Sequence, residues 1–158
     1  MCGISGYFSR KRAIDFSVEL NSSLEKQAYR GPDDHGVWVN DRAGLAHSRL
    51  SIIDLSQGGH QPMCFEEEGL RMVFNGEIYN YLELRSELQL KGIEFKTQSD
   101  SEVILRGFRF WGSDLFQKLN GMFAIALYNP LIKELYFARD RFGIKPLYYF
   151  LSQEDCFF

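Results

Sequence analysis

The sequence has 158 residues and is 45% apolar, which is enough material for one domain with one sizeable core. Its formal net charge is −3, with both signs scattered along the chain, so neither nucleic acid nor a membrane surface is expected as the main partner. No apolar stretch approaches the roughly 20 residues of a membrane span, the start carries no signal-peptide pattern, and the three distant cysteines indicate neither disulfides nor a zinc site. These features predict a reducing, cytoplasmic setting.

The first half of the sequence combines one helical segment with several strand-like runs. Residues 4–8 read as a strand, and an apolar residue at every fourth position from Phe16 to Ala28 predicts a helix over residues 15–29. The segment "RGPDDHG" then interrupts the pattern, because proline and paired glycines favour a loop. Short apolar runs predict strands at residues 36–39, 44–48, 50–53 and 70–75.

The second half predicts two more helices and a return to strands. Asn80 as the N-cap and Gly92 at the C′ position bound a helix over residues 81–92, and Gly112 ends another over residues 101–112. Because helices lie between groups of strands, the order indicates an α+β sandwich of antiparallel sheets with helices packed outside. The later strands are predicted at residues 122–129, 133–140 and 146–150, with a strand and hairpin over residues 150–158 that end partway, as in a fragment of a longer chain.

Cys2 is the first candidate for chemistry because of its position. Removal of Met1 would make Cys2 the N-terminal residue, and its α-amino group, with an ordinary pKa of about 7.7–8.0, would then be a base within the same residue as the thiol. The alternative is an inert cysteine at the start of a buried strand, which is a common fate of free cysteines. Position alone does not decide between the two.

The segment "FNGEIYN" offers a second candidate. Asn75 and Gly76 follow a strand and are ordinarily a turn dipeptide, but a helix follows them instead of a hairpin partner. An asparagine side-chain N–H beside an unobstructed glycine N–H is also what an oxyanion hole requires. Glu77 would lie at the same rim.

Charged residues near strand and helix ends complete the set. Arg49 is either a solvated surface charge or a clamp that binds a carboxylate through two parallel hydrogen bonds. Ser99 or Asp100 caps a helix, and a carboxylate at that position, like Glu77, is also suited to bind an amino group. His47 lies in the same segment as Arg49, and the pattern gives it no role. An amino acid with a side-chain amide would match the thiol, the oxyanion donors, the arginine and the acids, and glutamine is the obvious candidate.

The sequence resembles a known family over nearly its whole length. The segments "MCGISGYF", "YRGPDDHG", "AHSRLSIID", "FNGEIYNY", "SDSEVIL", "GMFAIALYN" and "ARDRFGIKPLYY" occur in the order found in the glutaminase domain of asparagine synthetases, a class II (N-terminal nucleophile) glutamine amidotransferase domain. The resemblance implies that residues 1–158 form this one domain. It also implies a four-layer αββα sandwich, in which two antiparallel sheets lie between helical layers.

The resemblance also implies roles for the matching positions. Cys2 would be the nucleophile, its free amine the general base, and Asn75 and Gly76 the oxyanion hole. Substrate binding would be shared by five further residues, with Arg49 on the glutamine carboxylate, Glu77 and Asp100 on its ammonium, and Leu50 and Ile52 lining the pocket through the backbone of the "RLSI" loop. The reaction would release glutamate and ammonia by way of a γ-glutamyl thioester, with no metal and no cofactor in this domain.

Asparagine synthetases continue into a C-terminal domain that uses ATP and magnesium to activate aspartate and receives the ammonia, and no counterpart of that domain occurs in this sequence. The expected partners are therefore glutamine and the protein's own synthetase domain, with a homodimer as a further possibility. Two alternatives stay open. The domain could serve an amidotransferase with a different acceptor carboxylate, or it could be a non-catalytic regulatory or docking domain if Met1 is retained.

Overall fold

A computed structural model describes residues 1–11, 13, 15–65 and 69–158 of the chain. Within these residues eight strands and four α-helices occur, with short 3₁₀ turns at Gln57–Gly59 and Gly112–Asp114. The strands are β1 (Gly3–Ser9), β2 (Asp34–Val39), β3 (Ala43–Arg49), β4 (Arg71–Ile78), β5 (Gly121–Asn129), β6 (Glu134–Arg139), β7 (Phe150–Leu151) and β8 (Asp155–Phe157). The helices are α1 (Ser17–Gln27), α2 (Tyr81–Leu90), α3 (Asp100–Trp111) and α4 (Leu115–Lys118).

The strands form two sheets whose named strands all pair antiparallel. The larger sheet has the order β2-β3-β1-β8-β7, and the smaller has the order β4-β5-β6. Consecutive side chains of one strand point to opposite faces of its sheet. On β1, Tyr7 therefore packs under α1 with Leu20 and Leu24, whereas Phe8 packs between the sheets.

The same alternation divides the core on the smaller sheet. Val73 and Tyr128 fill the space between the sheets, whereas Phe74 and Leu127 pack against α2 and α3 on the outer side. The order of layers is thus α1, the larger sheet, the smaller sheet, and the α2–α3 pair. The predicted α+β, four-layer αββα sandwich is confirmed.

Helix termini follow the predicted chemistry with one exception. Gly92 and Gly112 have φ angles of 84° and 61°, a left-handed region that favours glycine, and they follow the last residues of α2 and α3. Ser99 caps α3, since its hydroxyl accepts a hydrogen bond from the N–H of Glu102 at 3.2 Å. Asn80 precedes α2 but its side chain does not cap it; its amide instead bonds the backbone of Lys118 and Asn120.

Two predicted strands differ from the structure. Residues 50–53 form a loop, because the N–H of Ser51 is bound by the Asp33 carboxylate at 2.8 Å and does not enter a ladder. Residues 146–149 are also irregular, since Pro146 lacks an N–H, and only Phe150–Leu151 of that segment pairs, as the first strand of a hairpin with β8. Among the described residues, no helix is long and apolar enough to cross a membrane.

Glu102 provides a test of how α3 is anchored. Its fully buried carboxylate accepts hydrogen bonds from the N–H groups of Lys96 and Thr97, and Arg106 donates to it at 3.4 Å. Glu102→Gln removes the negative charge and places an NH₂ group, which is a donor, against N–H groups that need an acceptor. We therefore expect the free energy of unfolding to fall by about 2–3 kcal/mol.

Denaturant titration checks this expectation, and Glu87→Gln is the matched control. Glu87 forms an ion pair with Lys118 at 3.5 Å in a much more exposed setting, so its loss is expected to change stability by less than about 1 kcal/mol. Equal effects of the two substitutions would contradict the anchoring role of Glu102.

Candidate active site

Cys2 is positioned by the pairing of β1 with β3. The register sets Gly3 opposite Ser48, so the residue before β1 lies beside the end of β3. The Cys2 Sγ accepts a hydrogen bond from the N–H of Leu50 at 3.4 Å and lies 3.6 Å from the Leu50 carbonyl oxygen. The thiol is therefore fixed against the backbone of the loop that follows β3.

A single cavity brings the thiol together with groups from both sheets and from α3. Cys2 before β1, Arg49 at the end of β3 and Leu50 in the loop after it line this cavity together with Gly76 of β4 and Asp100 of α3. The other residues that line the cavity are Ile53, Asp54, Gly59, Gln61, Phe74, Ser99 and Ser101. Five of the candidate site residues predicted from the sequence, Cys2 included, therefore line this one cavity.

Arg49 is held rigidly by backbone carbonyls. Its side chain is only 6% exposed; Nη1 donates to the carbonyl of Ser56 at 2.8 Å, and Nη2 donates to that of Asp54. Gly59 packs directly on the guanidinium, and any Cβ at that position would collide with Nη2. Because an arginine carries five N–H donors, this anchoring leaves donors for a ligand in the cavity.

Asp100 supplies the opposite charge at the first turn of α3. It is 5% exposed, and its Oδ2 accepts a hydrogen bond from the N–H of Ile78 at 3.0 Å. Burial raises the pKa of its carboxyl to about 6, opposed by the backbone N–H groups that donate to it and assisted by the nearby charge of Glu77. Because ionisation of this buried carboxyl is costly without a positive partner, a cationic ligand would stabilise its ionised form strongly.

Asn75 and Gly76 lie in β4, next to the cavity. Asn75 is buried opposite Ala124, and its Oδ1 has no hydrogen-bond partner among the described residues. Gly76 lines the cavity, and its close approach to Met122 and Phe123 on β5 leaves no room for a Cβ. Of the two residues, Gly76 is thus among those that line the cavity, and Asn75, its neighbour in β4, is not.

The backbone just before Asn75 is fixed by two buried side chains. The Gln61 Oε1 accepts from the N–H of Phe74 at 2.6 Å, and the His47 Nε2 lies 3.1 Å from the Phe74 carbonyl. Burial lowers the pKa of His47 to about 4, so the ring is neutral near pH 7 and Nε2 is the nitrogen that donates to the carbonyl. His47 thus ties the larger sheet to the smaller one beneath the site.

Some residues lie elsewhere than the sequence indicated. Ile52 is 56% exposed and does not line the cavity, whereas its neighbour Ile53 does. Glu77 lies beside Gly76 on β4 and affects Asp100 through its charge, but it is not among the residues that line the cavity. Gln61 was not anticipated, because a glutamine before a proline carries no chemical signal by itself.

The N-terminus packs against two cations that the sequence did not single out. The amino group of Met1 donates to the carbonyl of Arg30 at 3.1 Å, and the Arg30 Nε donates to the carbonyl of Cys2 at 3.3 Å. The Lys145 Nζ donates to the Met1 Sδ at 3.2 Å. Residue 1 therefore lies between Arg30 and Lys145, directly before the thiol.

Comparison with solved structures places this fold in a class. The chain is similar to the glutamine phosphoribosylpyrophosphate amidotransferase of B. subtilis complexed with ADP and GMP, with a TM-score of 0.80 over 99% of this chain and 41% of that one, at 17% sequence identity. At that identity the likeness concerns the fold. This chain therefore shares its fold with the matching part of that amidotransferase.

Sequence comparison then gives the family. A model described as "Glutamine amidotransferase domain" matches residues 1–158, and the chain belongs to that family. It is 42% identical to asparagine synthetase [glutamine-hydrolyzing] 1 of Bacillus subtilis, over 100% of this chain and 25% of that protein. It is 39% identical to amidase chry2 of Gibberella zeae, over 97% of this chain and 24% of that protein. The chain thus spans about a quarter of the length of these relatives.

The raised pKa of Asp100 predicts a pH-dependent stability. Between the unfolded pKa of about 3.9 and the folded value of about 6, the folded state holds a proton that the unfolded state releases. Stability from this group is therefore present at low pH and lost as the pH rises through about 6, by about 2–3 kcal/mol.

Asp100→Asn, which cannot ionise, isolates this effect. We expect the variant to gain stability relative to the natural protein as the pH rises from about 4.5 to about 7.5, when both are unfolded by denaturant without ligand. A difference between the two proteins that stays constant over this range would contradict the raised pKa.

Proposed function

We propose that this domain hydrolyses glutamine to glutamate and ammonia, with Cys2 as the nucleophile. The observation that carries the proposal is the shared cavity of the Cys2 thiol, the Arg49 guanidinium and the Asp100 carboxylate. A cation and an anion anchored apart in one cavity suit the two charged ends of an α-amino acid, and the thiol is left to meet its side chain. The family model and the printed names of the relatives support glutamine as that amino acid.

The proposed binding mode uses the assigned charges. Arg49 binds the α-carboxylate, and Asp100 and Glu77 bind the α-ammonium, while Leu50 and the adjoining loop line the side-chain path. Ile53 takes the place expected of Ile52 in that loop, because Ile53 lines the cavity and Ile52 does not. Binding of an ammonium beside Asp100 favours its ionised form and offsets the cost of its burial.

The proposed chemistry starts once Met1 has been removed. The free α-amino group of Cys2 takes the thiol proton, and the thiolate attacks the side-chain carbonyl of glutamine. Asn75 and Gly76 donate hydrogen bonds to the oxygen that becomes negative, and loss of one such donor typically costs about 10²–10³ in rate. The protonated amine gives its proton to the departing nitrogen, which leaves as ammonia, and a γ-glutamyl thioester remains. Water, deprotonated by the same amine, adds to the thioester and releases glutamate and the thiol.

In the full-length protein we propose that the ammonia is used for ATP-dependent amidation of aspartate to asparagine. ATP and magnesium are assigned to the synthetase domain, and the reaction in this domain uses no cofactor. Relatives named as asparagine synthetases support aspartate as the acceptor, and the similarity to amidase chry2 keeps another acceptor carboxylate as the alternative. A docking role without catalysis is the alternative for a protein that retains Met1, because the Cys2 nitrogen is then a peptide nitrogen and not a base.

Cys2→Ala tests the nucleophile. We expect at least a 10³-fold loss of glutamine-dependent ammonia release, because the covalent step has no other thiol in the cavity to use. Cys64→Ala, which removes a thiol outside the cavity, is the matched control and should keep turnover close to that of the natural protein. Near-normal turnover by Cys2→Ala would overturn the assignment.

Retention of Met1 is expected to block catalysis while leaving the fold intact. Acylation of the Cys2 nitrogen by Met1 turns the base into a peptide nitrogen, which cannot accept the thiol proton. The check is mass spectrometry of the N-terminus combined with ammonia release, on samples that do and do not retain Met1. Activity in a sample that retains Met1 fully would mean that the base is not the α-amine. Failure of a processed sample to react at Cys2 with a glutamine-like electrophile would favour the docking role.

A further inference from the structure

Lys145 is a buried cation with an unusual partner. It lies in the loop after β6, is 5% exposed, and its Nζ donates to the thioether sulfur of Met1 at 3.2 Å. Within residues 1–11, 13, 15–65 and 69–158, no carboxylate lies within 4.0 Å of this ammonium. A thioether is a weak acceptor, and burial of a poorly paired ammonium is costly, so the position of Lys145 calls for a physical reason.

The loop is built to hold Lys145 in this place. The Asp140 carboxylate accepts hydrogen bonds from four backbone N–H groups at 2.9–3.1 Å, and Lys145 supplies one of them. These bonds lower the pKa of Asp140 overall, against the opposing effect of burial. The Arg139 Nε donates to the Lys145 carbonyl at 2.8 Å. The backbone of Lys145 is therefore fixed from both sides, and its ammonium contacts residue 1.

The other charged groups around the N-terminus are already engaged. On the loop between α1 and β2, Arg30 donates to the Cys2 carbonyl, and the Asp33 carboxylate accepts from the N–H of Ser51. On the loop after β6, Asp140 is occupied by N–H groups, and Arg139 by carbonyls.

Groups across the cavity complete the electrostatic surroundings. Arg49 at the end of β3 bonds to carbonyls, Asp100 on α3 accepts from the N–H of Ile78, and Glu77 lies on β4 near Asp100. In the part of the chain that the structure describes, the charged side chains that hydrogen-bond to residues 1 and 2 are thus both positive, Arg30 and Lys145.

We propose that Lys145 is a positioning residue for the nucleophile, and that its ammonium keeps the α-amino group of the processed Cys2 unprotonated. This inference rests on the proposed function, in which that amine is the base. The Met1 side chain that touches Lys145 is joined covalently to the Cys2 nitrogen, so the ammonium lies within about 10 Å of that nitrogen. At this range in a partly buried site, repulsion between two cations disfavours protonation of the amine about tenfold.

Lys145→Met tests the proposal, because it removes the charge and keeps an unbranched side chain. We measure kcat from ammonia release at saturating glutamine between about pH 5.5 and pH 9.5, on full-length protein whose N-terminal Cys2 is verified by mass spectrometry. Saturating glutamine is used because Asp100 is proposed to act in glutamine binding. Its titration should then not affect the pH profile of kcat. We expect the acidic limb of the profile to move up by about one pH unit, with kcat near pH 9 retained within about twofold.

Lys145→Arg is the matched control, because it keeps the positive charge and should keep the natural profile. Lys145→Gln is a second neutral variant and should show the same shift of the acidic limb. It provides the test if Lys145→Met fails to fold. A profile of the neutral variants that superimposes on that of the natural protein would overturn the proposal. So would an equal loss of kcat at every pH, or a shift shared by Lys145→Arg, since either indicates a structural role. Absence of glutamine hydrolysis in the processed natural protein would instead overturn the proposed function.

Discussion

The site depends on the register between β1 and β3. A shift of one residue would turn every side chain of β1 to the other face of the sheet, and Cys2 would leave the end of the space between the sheets. The pairing of Gly3 with Ser48 fixes that register at the critical end, where the Cys2 thiol meets the backbone of Leu50. Glycine is required along this seam, because a Cβ at Gly6 would collide with the carbonyl of Gly44. The glycine-spaced start of the chain is thus the means by which the thiol reaches its place.

Contact between the sheets extends this constraint to the proposed oxyanion residues, Asn75 and Gly76. Phe74, which precedes Asn75, is bonded through its carbonyl by His47 of the larger sheet and through its N–H by Gln61. Cys2 precedes a strand of the larger sheet and Asn75 lies in the smaller, so these buried polar bonds help to set the distance between the proposed nucleophile and the proposed oxyanion donors. Such groups are costly to bury unless each is paired, and the pairing is what makes the arrangement specific.

Helices and strands with a local periodic pattern could be predicted from the sequence. Features that depend on contacts between residues far apart in the chain could not. Periodicity identified the three long helices and most strands, and the types of Arg49 and Asp100 indicated charge recognition. Residues 50–53 look like a strand in isolation, but the Asp33 carboxylate and the Arg49 guanidinium bind this loop and its continuation, which a local pattern cannot reveal. Gln61 and Lys145 gain significance only from Phe74 and Met1, which lie far from them in sequence.

The two charged groups of the site, Arg49 and Asp100, are stabilised by backbone dipoles, which leaves each charge available to a ligand. Arg49 is stabilised by carbonyl oxygens and Asp100 by backbone N–H groups, and neither forms an ion pair with another described residue. If the two were bonded to each other, a ligand would first have to break a buried ion pair, which costs several kcal/mol. Backbone dipoles hold each charge in place without competing for the opposite charge of the ligand. The same fixed dipoles need no reorganisation when a charge arrives, which is the condition for the electrostatic catalysis proposed for this cavity.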